Sequence, residues 1–293
     1  MNKIIWVDES LSAARKILHK GIKDINNTEK NKNELIHDSR KRVKNLRAIL
    51  KLIQSELNEN KFKLLNNKLK ALNKKSAVSR RAFVLLNIID KMLFESSNNV
   101  SVDLLKTLKD NMLEIIESSQ PKYNINQILS SYHDTFVKID EHLSELKFER
   151  KDFSAIRNGL ALMYDEGKKF YKISARQQEV IILHELRKSA KDLYYVLEIF
   201  QKCWQPVIKP YNNQIKILTD YIGDLHDLHE FMLELNNPLL KNYKSAKDNL
   251  KLIIDNQISS QKRQILILAE KIYAEKTNCF INRIEKIAKF ESA

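Results

Sequence analysis

The chain has 293 residues, 43% of them hydrophobic, and a formal net charge of +14. That apolar share excludes a disordered chain, and the lack of any apolar run of roughly 18 residues excludes a membrane-spanning helix. Only four glycines and four prolines punctuate the whole sequence, too few for a turn-rich β fold, so the sequence predicts an all-α protein.

Asp8, Glu9 and Ser10 can open a first helix that runs to about Ile25, and the polar segment 26–33 reads as a loop. A second helix is predicted from about Glu34 to Glu56. Helical segments follow over 61–73 and 76–94, and ESSNNVS at 95–101 reads as a loop with capping residues. Leu104, Leu105, Leu108, Met112 and Ile115 predict a helix over 102–118, which SSQP ends. Ile125 to Phe148 makes the next one. The boundary between two halves, 1–150 and 151–293, falls near Arg150. Helices over 153–173, 176–203 and 211–235 open the second half, with Pro206 and Pro210 marking a turn before the third. Asn236-Asn237-Pro238 is a turn, and two last helices span 239–258 and 261–290. No Gly/Ser linker separates the halves, so they are expected to pack as one body. Cys203 and Cys279 read as reduced thiols in small core positions, which suits a cytoplasmic protein. The first residues, MNKIIWVDES, hold too short an apolar stretch for a signal peptide.

One stretch occurs twice. HDSRKRVKNLRAIL begins at His37 and HELRKSAKDLYYVL at His184, an offset of 147 residues (184 − 37). At that offset His37, Arg40, Lys41, Lys44, Leu46 and Leu50 fall on His184, Arg187, Lys188, Lys191, Leu193 and Leu197. On a helix, His37, Arg40, Lys41, Lys44 and Arg47 share one face within an arc of roughly 120°. Val43, Leu46, Ile49 and Leu50 take the other side, and Arg42 falls toward that apolar side, where it snorkels. In the second copy His184, Arg187, Lys188 and Lys191 form the stripe. Like charges at such spacing cost roughly 0.2–0.5 kcal/mol a pair, and no acidic residue lies between Ser39 and Ser55 to offset them. A solvated basic face accounts for one such stripe. Two at one spacing, half a chain apart, point to a polyanion.

His-x-x-Arg followed by further cations, twice per chain, resembles the conserved-histidine α-helical domain, the CHAD family. The second copy adds the aromatic-Leu-Glu ending as Tyr195, Leu197 and Glu198. The family's next motif, a Leu-Gly…Asp turn into the following helix, is matched by IGDLHDLHEF, with Gly223 and Asp227 in place. The first half departs from it: in NKKSAVSRRAFVLL Arg80 fits, but Arg81 stands where an Asp is usual. The second copy departs eight and ten residues past His184, where Asp192 and Tyr194 replace cations. The resemblance covers almost the whole chain. It implies two pseudo-symmetric helical bundles around a central basic groove, and inorganic polyphosphate as ligand. It also suggests recruitment to polyphosphate deposits, or service to a separately encoded polyphosphate-handling enzyme. The residues expected to line the groove are His37, Arg40, Lys41, Lys44, Arg47, Arg80, His184, Arg187, Lys188 and Lys191.

The residue types suit that ligand. A phosphate chain has no apolar face and needs many cationic donors; arginine supplies paired N–H donors and lysine a point charge. Lys74, Lys75, Lys168, Lys169, Lys172 and Arg176 could extend the groove, though solvated surface charge explains them better. The two histidines read equally as phosphate donors or as structural imidazoles bonded to a carbonyl. Nucleic acid is the rival partner, but the stripes lack interleaved aromatics apart from Tyr194. A membrane-surface role would need an apolar face left over after folding. His37-Asp38, His133-Asp134 and His226-Asp227 raise a metal-dependent phosphohydrolase as a third reading. No carboxylate cluster accompanies the basic faces, and no phosphate loop, nucleophile or base is nominated, so a non-enzyme without a cofactor is expected.

Overall fold

The computed structural model describes residues 5–27, 29–75, 78–95, 99–119, 124–177 and 179–290. Eleven α-helices and short 3-10 turns make up the described residues, which contain no strand. The helices are α1 (Trp6–Ile25), α2 (Lys32–Leu52), α3 (Glu59–Lys75), α4 (Val78–Glu95), α5 (Asn99–Ser119), α6 (Ile125–Ser144), α7 (Ser154–Ser174), α8 (Val180–Phe200), α9 (Gln205–Glu234), α10 (Lys244–Ile272) and α11 (Thr277–Phe290). The all-α reading is thus the fold, and both repeated motifs lie on helices, α2 and α8.

Three large apolar cores hold the helices, beside a small one of Leu35 and Ile36 from α2 with Leu129 from α6. Leu18 of α1, Val43, Leu46 and Ile49 of α2, Leu65 and Leu69 of α3, and Tyr132 and Phe136 of α6 form one. A second joins α7, α8, the first part of α9, the end of α10, and α11 around Leu186, Leu193, Ile215, Tyr164 and Phe280. It also takes in Trp6, Ala48, Leu52 and Ile53 from the first half, so α1 and α2 are wedged into it. The third is made by Leu85 and Ile89 of α4, Leu104 and Leu108 of α5, Phe231 and Leu235 of α9, and Leu250 and Ile254 of α10. Two of the three cores therefore draw on residues from both sides of position 150.

Several expected boundaries move, each for a physical reason. The predicted turn at Pro206 and Pro210 is the start of α9, with Pro206 in its first turn and Pro210 inside it. Pro206 removes no hydrogen bond, because the first N–H groups of a helix have no partner anyway, and Pro210, further in, gives up one bond to the carbonyl four residues back. The IGDLHD segment is not a turn: Gly223 sits in the middle of α9. The predicted break at 259–260 is also absent, and the last two helices meet instead between Ile272 and Thr277. Ser259 and Ser260 are exposed within α10, where serine costs only tenths of a kcal/mol, about 0.5. Around them Leu250, Ile254, Ile265, Ala269 and Ile272 keep one buried line. Cys203 is buried as expected, but Cys279 is exposed on α11, contrary to the core placement.

Candidate functional site

α2 and α8 pack against each other, and the ends of their stripes meet. Lys51, fourteen residues past His37 and on the same helical face, donates to Asp192 of α8 at 2.6 Å. Asp192, one of the two second-copy departures, is therefore the partner that ties the second stripe to the first.

The α2 stripe leans on α3. Arg40 is half-buried, and its Nη1 donates to the main-chain carbonyl of Asn73 at 2.7 Å. Tyr132 of α6 donates to the Asn73 side-chain oxygen at 3.2 Å, which fixes the amide. Arg47 Nε donates to Asn66 Oδ1 at 2.8 Å. Lys41 lies 3.8 Å from Asp38 with both side chains well exposed, a contact worth little. Lys44 is half-buried and His37 exposed. Arg42 does turn away from the stripe, into a pair with Asp24 of α1.

The α8 stripe leans on α9 in the same way. Arg187 Nε donates to the carbonyl of Thr219 at 2.9 Å. To get there, its guanidinium crosses the backbone of α9 at Gly223, where a Cβ would stand 2.5 Å from Nη2. The glycine of the motif serves this close approach rather than a turn. Lys188 pairs with Glu185 at 2.6 Å. Lys191 is half-buried, 3.6 Å from Asp220 and 5.5 Å above the ring of Tyr194. Burial pulls the Lys191 amine below its usual range, while Asp220 pulls the other way.

The second histidine is not at the solvent edge. His184 is half-buried, with its ring edge-on to His226 of α9 at a centroid distance of 5.2 Å. Nδ1 of each ring is buried without a hydrogen-bond partner. Burial first, then Lys188, His226 and Arg187, bring His184 from 6.5 down to about 4, so it is neutral at pH 7. Neither ring nitrogen of His184 has a carbonyl bond of the kind the structural reading required among the described residues.

Arg80 lies on α4, but its side chain falls outside the described residues, as do those of Lys74 and Lys75. Of the outer cations, Lys168 is committed to the carbonyl of Glu275. Lys169 lies 5.8 Å from the ring of Phe170, and Lys172 and Arg176 are exposed. The three His-Asp pairs sit on different helices, α2, α6 and α9. Among the described residues no three His, Cys, Asp or Glu side chains are grouped to hold a metal ion. No described helix is long and apolar enough to cross a membrane. A cleft of about 700 Å³ opens between α4, α9 and α10, lined by Ile88, Lys91, Asp224, Asp227 and Ile254. None of the stripe residues lines it.

Asn66, Asn73, Thr219 and Asp220, which hold the stripes in place, escape a reading of the motif helices alone. They sit on α3 and α9, a helix away from the cations they anchor. Lys51 was in reach of the periodicity, since it continues the stripe by one more turn.

The family model of the CHAD domain matches residues 16–236, from within α1 to just past α9, and so takes in both stripes and the helices that anchor them. Among solved structures, the crystal structure of the CHAD domain from the plant Ricinus communis is similar over 94% of both chains, at 15% identity and a TM-score of 0.61. At that identity the likeness is one of fold. No curated protein matches the sequence. A family match over most of the chain, carrying the two His-x-x-Arg helices on an all-α fold, establishes that this chain belongs to the CHAD family.

Proposed function

We propose that the protein binds inorganic polyphosphate without catalysis, along a basic groove formed by the α2 and α8 stripes. One observation carries this reading. In both halves the arginine at the same place in the repeat is anchored to a carbonyl of the next helix, Arg40 to Asn73 and Arg187 to Thr219. A carbonyl bond fixes a guanidinium in position, and a fixed guanidinium presents the paired N–H donors that suit phosphate oxygens. The contact between Lys51 and Asp192 joins the two stripes into one track. Lys41, Lys44, Arg47, Lys188 and Lys191 supply further charge along it, with Arg80 assigned by the family motif. His37 and His184 head the two rows, and a phosphate at their edges would favour the charged imidazole. The site belongs to a cytoplasmic protein that docks on polyphosphate deposits or supports an enzyme acting on them.

Competition decides the ligand. Long-chain polyphosphate, single-stranded DNA and double-stranded DNA of matched charge are titrated into the full chain at near-physiological salt. Polyphosphate is expected to win by at least about tenfold, because the stripes offer donors and almost no stacking surface. Equal affinity for the three would leave a generic polyanion binder. Steady release of orthophosphate in the presence of divalent metal would overturn the non-catalytic reading.

A further inference from the structure

A carboxylate of α9 faces the α8 stripe. Asp220 lies 3.6 Å from Lys191 Nζ through Oδ1 and 2.8 Å from Lys216 Nζ through Oδ2. Lys191 keeps only 24% of its side chain exposed, and a partly desolvated amine needs a counter-anion. Lys216 sits further out, with 54% of its side chain exposed.

We propose that Asp220 is an internal counter-ion that occupies Lys191 in the ligand-free protein. This rests on the polyphosphate reading above. The polyanion reaches Lys191 only by replacing the Asp220 carboxylate there. The exchange is one contact for another: Lys191 Nζ loses the longer of the two Asp220 contacts and gains a phosphate oxygen. The shorter contact, to Lys216, keeps the displaced carboxylate paired and near solvent. A phosphate chain, with about one charge per phosphate, displaces a lone carboxylate more readily than sparse anions do.

A double-mutant cycle on the full chain tests this, with long-chain polyphosphate titrated calorimetrically into wild type, Asp220→Asn, Lys191→Met and the double variant. Asp220→Asn is expected to tighten binding by about three- to tenfold. Lys191→Met is expected to cost at most about threefold in the wild-type background and about tenfold or more in the Asp220→Asn background, where a neutral amide faces the lysine. Asp248→Asn removes one exposed carboxylate from α10, which carries no stripe residue, and should tighten binding by less than about twofold. Equal cost of Lys191→Met in both backgrounds, or equal gains from Asp220→Asn and Asp248→Asn, overturns the counter-ion role and leaves the polyphosphate reading standing. Failure of the wild-type chain to bind polyphosphate overturns both.

Discussion

Arg40 and Arg42 are two residues apart on α2 and serve different ends. Arg40 stays on the stripe. Arg42, with only 11% of its side chain exposed, pairs with Asp24 at the end of α1, and Lys30 from the following loop donates to the same carboxylate at 2.6 Å. The hydrogen bond from Lys30 is the largest influence that holds Asp24 below its ordinary 3.8; burial opposes it, and Arg42 adds attraction. A depressed carboxyl stabilises the fold above its unfolded value, and that share is lost as the pH falls below 3.8 through the folded value. Asp24→Asn is expected to cost about 1–3 kcal/mol in urea unfolding at pH 7 and nothing further once the pH is below both values. Polyphosphate affinity should stay within about twofold, since the pair lies off the stripe. An unchanged unfolding midpoint at pH 7 would contradict the structural role. The helical wheel was enough to separate Arg42 from the stripe, but its partner was not legible: Asp24 is on another helix, and only the packing of α1 on α2 brings it near.

At the scale of elements, α9 shows how a helix can carry a glycine for the sake of its neighbour. Gly223 is buried mid-helix and lies under the Arg187 guanidinium. Alanine there improves helix propensity by up to about 1 kcal/mol. The new Cβ, 2.5 Å from Nη2, must push the guanidinium aside, which it can do because the group is the far end of a flexible chain. Gly223→Ala should therefore leave the melting temperature about unchanged, the helix gain offsetting the displaced carbonyl bond, while polyphosphate binding weakens by about three- to tenfold. A variant that melts as wild type and binds as wild type would show that the Arg187 anchor has no part in binding. The same helix explains what sequence periodicity could and could not find. Buried Ile215, Leu218, Ile222 and Leu225 mark α9 clearly. Pro206 reads as a turn because a proline at a helix start and one in a loop look alike until the partners of the first N–H groups are seen, and Pro210 lies inside the helix. α10 was cut in two for a similar reason: a Ser-Ser pair reads as punctuation, yet Ile258 beside it packs against two cores at once and holds the helix through.

For the molecule as a whole, α2 joins two of the large cores, with Val43, Leu46 and Ile49 in one and Ala48 and Leu52 in the core that α8 fills. Close contact between α2 and α7 is set by Gly159 of α7, whose missing Cβ would lie 2.1 Å from the carbonyl of Leu52 at the end of α2. The fold class was legible from scarce glycine and proline, and the motif helices from a repeat of cations on one face. How the stripes are held was not legible, because Asn73, Thr219 and Asp220 carry no pattern of their own and act from helices packed alongside. The claim everything else depends on is that one ligand is held by both stripes through their carbonyl-anchored arginines. It is tested most directly by titrating long-chain polyphosphate into wild type, Arg40→Ala, Arg187→Ala and the double variant, with thermal melting beside each. Each replacement is expected to lose about 1 kcal/mol of stability with its carbonyl bond and to weaken binding roughly tenfold or more. A folded double variant that binds polyphosphate as tightly as wild type would contradict the account.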